Sequence, residues 1–239
     1  MHRREMFGLV GAMGAGACLG GVAGAADHGS KPDGTMMGPV HGPHAHFCGI
    51  HIAKSNPKFQ IVTQHYCVAH SGEGHGNDLF QCLLFDTHEK NAKLLGVEYI
   101  ISDEQFRKLP DSEKKYWHPH TYEVLAGGLI APSMSDEDEH KFMKMILTTW
   151  GKTWHTWPDP KTPIPIGEPL LMWSVTGDGQ LSDAVVAGRD QTYKCDTNKI
   201  RAKRIDRFGL EVPQVPLPES IHTIGRQWTA AGEDKPTKR

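Results

Sequence analysis

Apolar and polar positions alternate over short stretches of this chain, and helical spacing is the exception. Residues 58–70 (KFQIVTQHYCVAH) and 79–86 (LFQCLLFD) are rich in β-branched and aromatic residues and predict two strands. The segment between them, SGEGHGND, consists of turn formers and is too short for a parallel crossover, so the pair predicts an antiparallel hairpin. Residues 94–101 (LLGVEYII), 122–130 (YEVLAGGLI), 153–157 (TWHTW) and 170–176 (LLMWSVT) predict further strands. Gly127-Gly128 predicts a bulge or a close backbone approach in the second of these.

Helices announce themselves by their caps. Ser102 with Gln105 three residues later has the form of a capping box, and the helix it opens is interrupted at Pro110, with a short turn over 111–116. Ser135 caps a helix expected over 136–150, whose acidic first turn suits the helix dipole and whose end falls at Gly151. Phe142, Met145, Ile146 and Trp150 fall near one of its faces. A last helix is expected over 182–193. Strands outnumber helices, which predicts an α+β fold: a mainly antiparallel sheet with packed helices, in a single domain over 47–215.

The remaining segments read differently. In residues 1–25, Arg3 and Arg4 precede a Gly/Ala-rich stretch and the small-residue site Ala23-Gly24-Ala25, which predicts a cleavable export signal of twin-arginine type and a periplasmic or secreted protein. Its apolar stretch is too short and glycine-rich to span a membrane, and the mature chain has no transmembrane segment. Residues 26–46 read as a disordered linker and 216–239 as a polar tail. The linker carries His28, Met36, Met37, His41, His44 and His46, ligands soft enough for copper; incidental histidines in a flexible leader are the plainer reading.

Composition narrows the function classes. Of 239 residues, 38% are hydrophobic and 23% charged, which excludes a polytopic membrane protein and a wholly disordered chain. A net charge of -2 gives no reason to expect nucleic acid as a partner. There is no GxGxxG turn, no GxxxxGK[ST] loop and no GxSxG elbow. Loss of the leader removes Cys18 and leaves Cys48, Cys67, Cys82 and Cys195, enough for two disulfides in an exported protein.

The candidate chemistry lies on the hairpin and on a His-x-His segment. A hairpin symmetric about 71–78 sets His70 opposite Leu79 and therefore Cys67 opposite Cys82, with His65 on the same face. In Trp117-His118-Pro119-His120 the two histidines point to one side of an extended segment. Three readings stand: a metal site, for zinc or copper, drawn from His65, Cys67, Cys82, His118 and His120; a Cys67–Cys82 disulfide beside hydrogen-bonded histidines; or a half-buried core in which cysteine acts as a small apolar residue. Glu98 or Glu123 would be the general base of a metalloenzyme, although an unbulged strand points Glu123 away from His118 and His120. His155, between Trp154 and Trp157, could line the same cavity, although a packed, hydrogen-bonded histidine is the plainer reading. The spacing from His120 to Glu123 is too short for a cupin, and no second histidine motif follows Gly128, so that family is excluded.

An ordered set of residues resembles the oil body-associated protein family: His51, His65-Tyr66-Cys67, Gln81-Cys82-Leu83, Gly96-Val97-Glu98-Tyr99-Ile100, Leu109-Pro110, Trp117-His118-x-His120, Glu123-Val124, Gly151-Lys152-Thr153, His155-x-Trp157 and Gly179-Gln180-Leu181. The resemblance runs from about residue 47 to about 181 and implies one family domain in an exported bacterial member. Plant members are associated with seed oil bodies, and the resemblance carries no catalytic residues over. This chain departs from the plant pattern in its export signal and in His70, which stands one residue later than the pattern places a histidine. It has no long apolar hairpin for insertion into a droplet, so contact with a lipid surface would use an amphipathic face or a cavity. The expectation is an exported soluble protein that binds a metal or small ligand through its His/Cys cluster. The alternatives are a periplasmic metalloenzyme and a non-catalytic envelope or lipid-surface protein stabilised by disulfides.

Overall fold

The computed structural model describes residues 42–70 and 79–210, with the backbone of 226–228 and 234–236. Residues 1–25, read above as an export signal, most of the segment read as a linker, residues 71–78 and most of the segment read as a tail lie outside the described residues.

Seven strands follow in chain order: β1 (Ala45–Ala53), β2 (Asn56–His70), β3 (Leu79–Phe85), β4 (Leu94–Ser102), β5 (Trp117–Pro119), β6 (Thr149–His155) and β7 (Leu170–Trp173). Six of them form a ring in the order β4-β3-β2-β1-β7-β6, closed by a β4–β6 ladder, while β5 pairs with β6 on the same side as β7. Every ladder is antiparallel. A separate two-stranded ladder joins β8 (Arg226–Trp228) and β9 (Asp234–Pro236). The α+β expectation is therefore corrected. The sheet does not stay open with helices laid on it; it closes into a small barrel that has its own interior, and the helices fill in around it. Among the described residues no helix is long and apolar enough to cross a membrane.

The registers decide which side chains face inward. Phe47 pairs with His65, Cys67 with Cys82, Cys82 with Glu98, Glu98 with Thr153, and Thr153 with Met172. Directly opposed residues share a face, so these positions and their i±2 neighbours line the barrel. The opposite parity places Ile52, Trp150, Leu171 and Trp173 on the outer wall. There Phe106 of α1 (Asp103–Lys108) stacks on Trp150, ring centroids 3.6 Å apart.

One end of the barrel is apolar. Phe47, Cys67, Phe80, Cys82, Leu84 and Ile100 form one cluster with Phe142, Met143 and Ile146 of α4 (Asp136–Ile146). The caps expected at Ser102 and Ser135 are present: each hydroxyl accepts a backbone N–H, from Gln105 and Asp138 respectively. Short α2 (Asp111–Lys114) follows α1.

Four local expectations are corrected. Strand β1 falls where no strand was expected, because both of its faces are buried and its sequence shows no alternation. Residues 122–130 do not form a strand; α3 (Thr121–Leu125) occupies the first of them and ends near Gly127, whose φ is +78°. The Arg189 guanidinium of α5 (Asp183–Tyr193) donates to the carbonyls of Gly127 and Gly128 and fixes that turn. Helix α4 stops at Ile146, so Trp150 and Gly151 belong to β6. Finally α6 (Thr197–Phe208), capped by Asp196 and tied down by Arg204 to the carbonyls of Val124 and Leu129, arises from the basic stretch after 198.

Candidate metal centre

The other end of the barrel interior is polar. His51 comes from β1, His65 from β2, Glu98 from β4, His118 from β5, His120 from the residue after it and His155 from β6. Each exposes 3% or less of its surface. Glu98 stands in the middle and divides its carboxylate between two groups. Oε1 lies 3.5 Å from His118 Nε2 and 3.3 Å from His120 Nε2. Oε2 lies 2.8 Å from His65 Nε2 and 3.8 Å from His51 Nε2. The two latter nitrogens are 3.0 Å apart, and His51 Nδ1 is 3.0 Å from His155 Nε2. Two triads thus share one carboxylate, His51–His65–Glu98 and Glu98–His118–His120.

Gly151 makes the second triad sterically possible. It pairs with His118 across the β5–β6 ladder and with Ile100 across β4–β6, so its missing side chain would point into the barrel. A Cβ built there would collide with Glu98 Oε1 and stand 2.8 Å from Nε2 of both His118 and His120. The space a methyl group would fill is a cradle surrounded by three ligand atoms.

The hydrogen-bond network assigns a tautomer. The Thr149 hydroxyl donates to Ile146 O at 2.7 Å, so at 2.8 Å it accepts from His120 Nδ1–H. In neutral His120 the Nε2 lone pair then faces the acceptor oxygen of Glu98 at 3.3 Å. Two acceptors in a dry interior repel unless a cation or a second proton lies between them. The surroundings oppose extra protons on the other rings. Burial lowers His51 well below the ordinary histidine range, with His65 and His155 adding to the effect. It also lowers His118, and it takes His155 down to about 3. Burial alone would raise Glu98, but His118, His120 and His65 outweigh it and hold the carboxyl well below its usual range. The lowered His51, His118 and His155 and the lowered carboxyl of Glu98 tend toward the protonation states a metal requires.

Glu123 is the second carboxylate of the chamber. It projects from α3, and a Cβ on Gly49 would stand 2.9 Å from its Oε1 and 3.4 Å from His65 Cε1. Burial raises its pKa to about 7; Glu98 adds to the rise and His120 opposes it.

Of the five residues singled out in the sequence, His65, His118 and His120 meet at Glu98. Cys67 and Cys82 line the same interior but are bonded to each other in a disulfide, which leaves no thiolate for a metal. His51 stands outside that set, His155 enters the sequence reading only as a possible lining residue, and Glu98 only as a candidate general base. For His51 the signal is its place two residues after Gly49 in an apolar stretch; His155 is masked by its neighbour Trp154, which packs on the outer-wall cluster. In the linker, His46 bonds Gln64 at 3.1 Å and stacks on Tyr66, and the exposed ring of His44 bonds Gly42 O. His28, Met36, Met37 and His41 lie outside the described residues.

The sequence model of a family described as "Protein of unknown function (DUF1264)" matches residues 37–207. Oil body-associated protein 1A of Zea mays is 35% identical over 187 residues, covering 77% of this chain and 76% of its own. Oil body-associated protein 1B of Arabidopsis thaliana is 34% identical over 180 residues, covering 75% and 73%. A third relative, oil body-associated protein 2A of Zea mays, is 33% identical over 183 residues, covering 75% and 69%. No solved structure matches the chain. Residues 37–207 enclose every strand of the barrel and every histidine of its polar end, so the matched region and the folded unit coincide, and the chain belongs to the oil body-associated protein family.

Proposed function

We propose that this protein binds a divalent transition-metal ion inside its barrel, at Glu98, His118 and His120. The observation that carries the reading is the Nε2 lone pair of His120 set against Glu98 Oε1 at 3.3 Å, with Thr149 holding the proton on the far nitrogen. A ligand shared with an outer hydroxyl is the usual support for a metal-bound imidazole. Tetrahedral ligand edges for bonds of about 2.0–2.1 Å are near ~3.3 Å, close to the separations of this triad. An N/O donor set without thiolate favours zinc or another borderline dication over a soft monovalent ion. Complete burial of the ligands favours a held ion over hydrolysis of a dissolved substrate, which needs an open coordination position.

The test is elemental analysis of the full chain purified without an affinity tag, with thermal unfolding in chelator. About one equivalent or more of metal, and a lower Tm after chelation, is expected; less than ~0.2 equivalents with an unchanged Tm overturns the reading. His120→Ala should lose the ion.

We also propose a periplasmic or secreted location. The Cys67–Cys82 disulfide supports it, since such bonds persist in oxidising compartments, as does the twin-arginine pattern of the leader. Cell fractionation tests it: recovery in the cytoplasm with both thiols free overturns it.

A further inference from the structure

We infer that the centre is dinuclear, with Glu98 bridging two ions: Oε1 on the ion held by His118 and His120, Oε2 on a second held by His51 and His65. This rests on the metal-binding reading above.

The two carboxylate oxygens are addressed separately, each by its own pair of imidazoles. The second pair is the less satisfied one. The Nε2 atoms of His65 and His51 are aligned on each other at 3.0 Å. Glu98 Oε2 is buried, and its 2.8 Å approach to His65 Nε2 lacks the alignment of a hydrogen bond. A carboxylate oxygen without a donor in the interior is costly. One cation within the triangle of Oε2 and the two Nε2 atoms would satisfy all three. The triangle's edges of 2.8, 3.0 and 3.8 Å lie around the ~3.3 Å expected between tetrahedral ligands.

His155 completes the arrangement from outside. With an ion on His51 Nε2, the His51 proton moves to Nδ1 and is donated to His155 Nε2, 3.0 Å away. That is the support a ligating imidazole ordinarily has. Two dications exceed the single charge of Glu98, and Glu123, beside Gly49 and His65, is the carboxylate placed to offset part of the excess. A bridging carboxylate between two ions is the plan of two-metal sites.

The full chain, stripped with chelator and reloaded with zinc alone, is read by native mass spectrometry. Two zinc ions per chain are expected in the wild type, one in His65→Ala, one in His118→Ala and none in Glu98→Ala. One zinc in the wild type overturns the inference and leaves the mononuclear reading intact; none overturns both. Two zinc ions retained in His65→Ala overturn the assignment of the second site. Where His65→Ala does not fold, His51→Gln carries the same test. Independently, the cobalt(II)-loaded wild type should show magnetic coupling between two ions, and an uncoupled spectrum overturns the inference.

Discussion

Two residues along β2 separate the two ends of the barrel. His65 enters the polar end, where it meets Glu98; Cys67, on the same face, enters the apolar end, where it meets Cys82. The backbone geometry is the same at both, and the ladder runs unbroken from one to the other. What differs is the way each end manages the side chains it buries. The apolar end packs Phe47, Phe80, Ile100 and the α4 residues and adds a covalent link between neighbouring strands. The polar end buries five histidines and two carboxylates that must satisfy one another. Stability belongs to the first end and chemistry to the second, and substitutions should separate them.

The largest effect is expected from Glu98→Ala. It removes the carboxylate the imidazoles surround and, with metal in place, the counter-charge of the ion, should cost about 3–5 kcal/mol in chemical denaturation, and should leave no bound metal. Next, Cys67→Ala with Cys82→Ala, or reduction in place, should cost about 3 kcal/mol, as expected for a link of sequence separation 15. Metal content should not change; if it falls with the disulfide, the two ends are coupled and the division fails. Gly151→Ala drives a methyl group into the cradle and should cost about 1–3 kcal/mol, with loss of the ion between His118 and His120 read by elemental analysis.

The smallest effect tests a third way to bury a charge. Lys54 is fully buried, its Nζ 3.8 Å from the centroid of the Trp173 ring, and burial lowers its pKa to about 7. The unfolded chain, with an ordinary lysine pKa of about 10.4, binds more protons than the folded one between these values. Stability should therefore rise with pH across that window, by less than the full shift implies because the ring attracts the ammonium. Lys54→Met should flatten the slope in urea titrations from pH 7 to 10.

The legible parts of the structure were those encoded locally. The hairpin register followed from a symmetric turn, and Cys67 does face Cys82. The caps at Ser102 and Ser135 followed from hydroxyl chemistry. The His118/His120 pair was visible because period-two spacing needs no partner strand. Barrel closure was not visible, because it depends on β6 returning to β4 and β7 to β1, contacts between distant segments that leave no local signature. For the same reason His51 could not be joined to the site from sequence, and His155 only as a possible lining residue: each is ordinary in its own strand, and only closure brings their rings together. Tyr122-Glu123-Val124-Leu125 has the composition of a strand, yet tertiary contacts with the two arginine clamps make it helical.

The β4–β6 ladder has a kinetic corollary. The histidines and Glu98 inside this closed ring each expose 3% or less of their surface, so an ion held among them would have no open route in or out; passage would require local opening. Exchange should then be slow, on the timescale of local unfolding. The identity of the ion would record the milieu in which the barrel first closed, not the one in which the protein is later found.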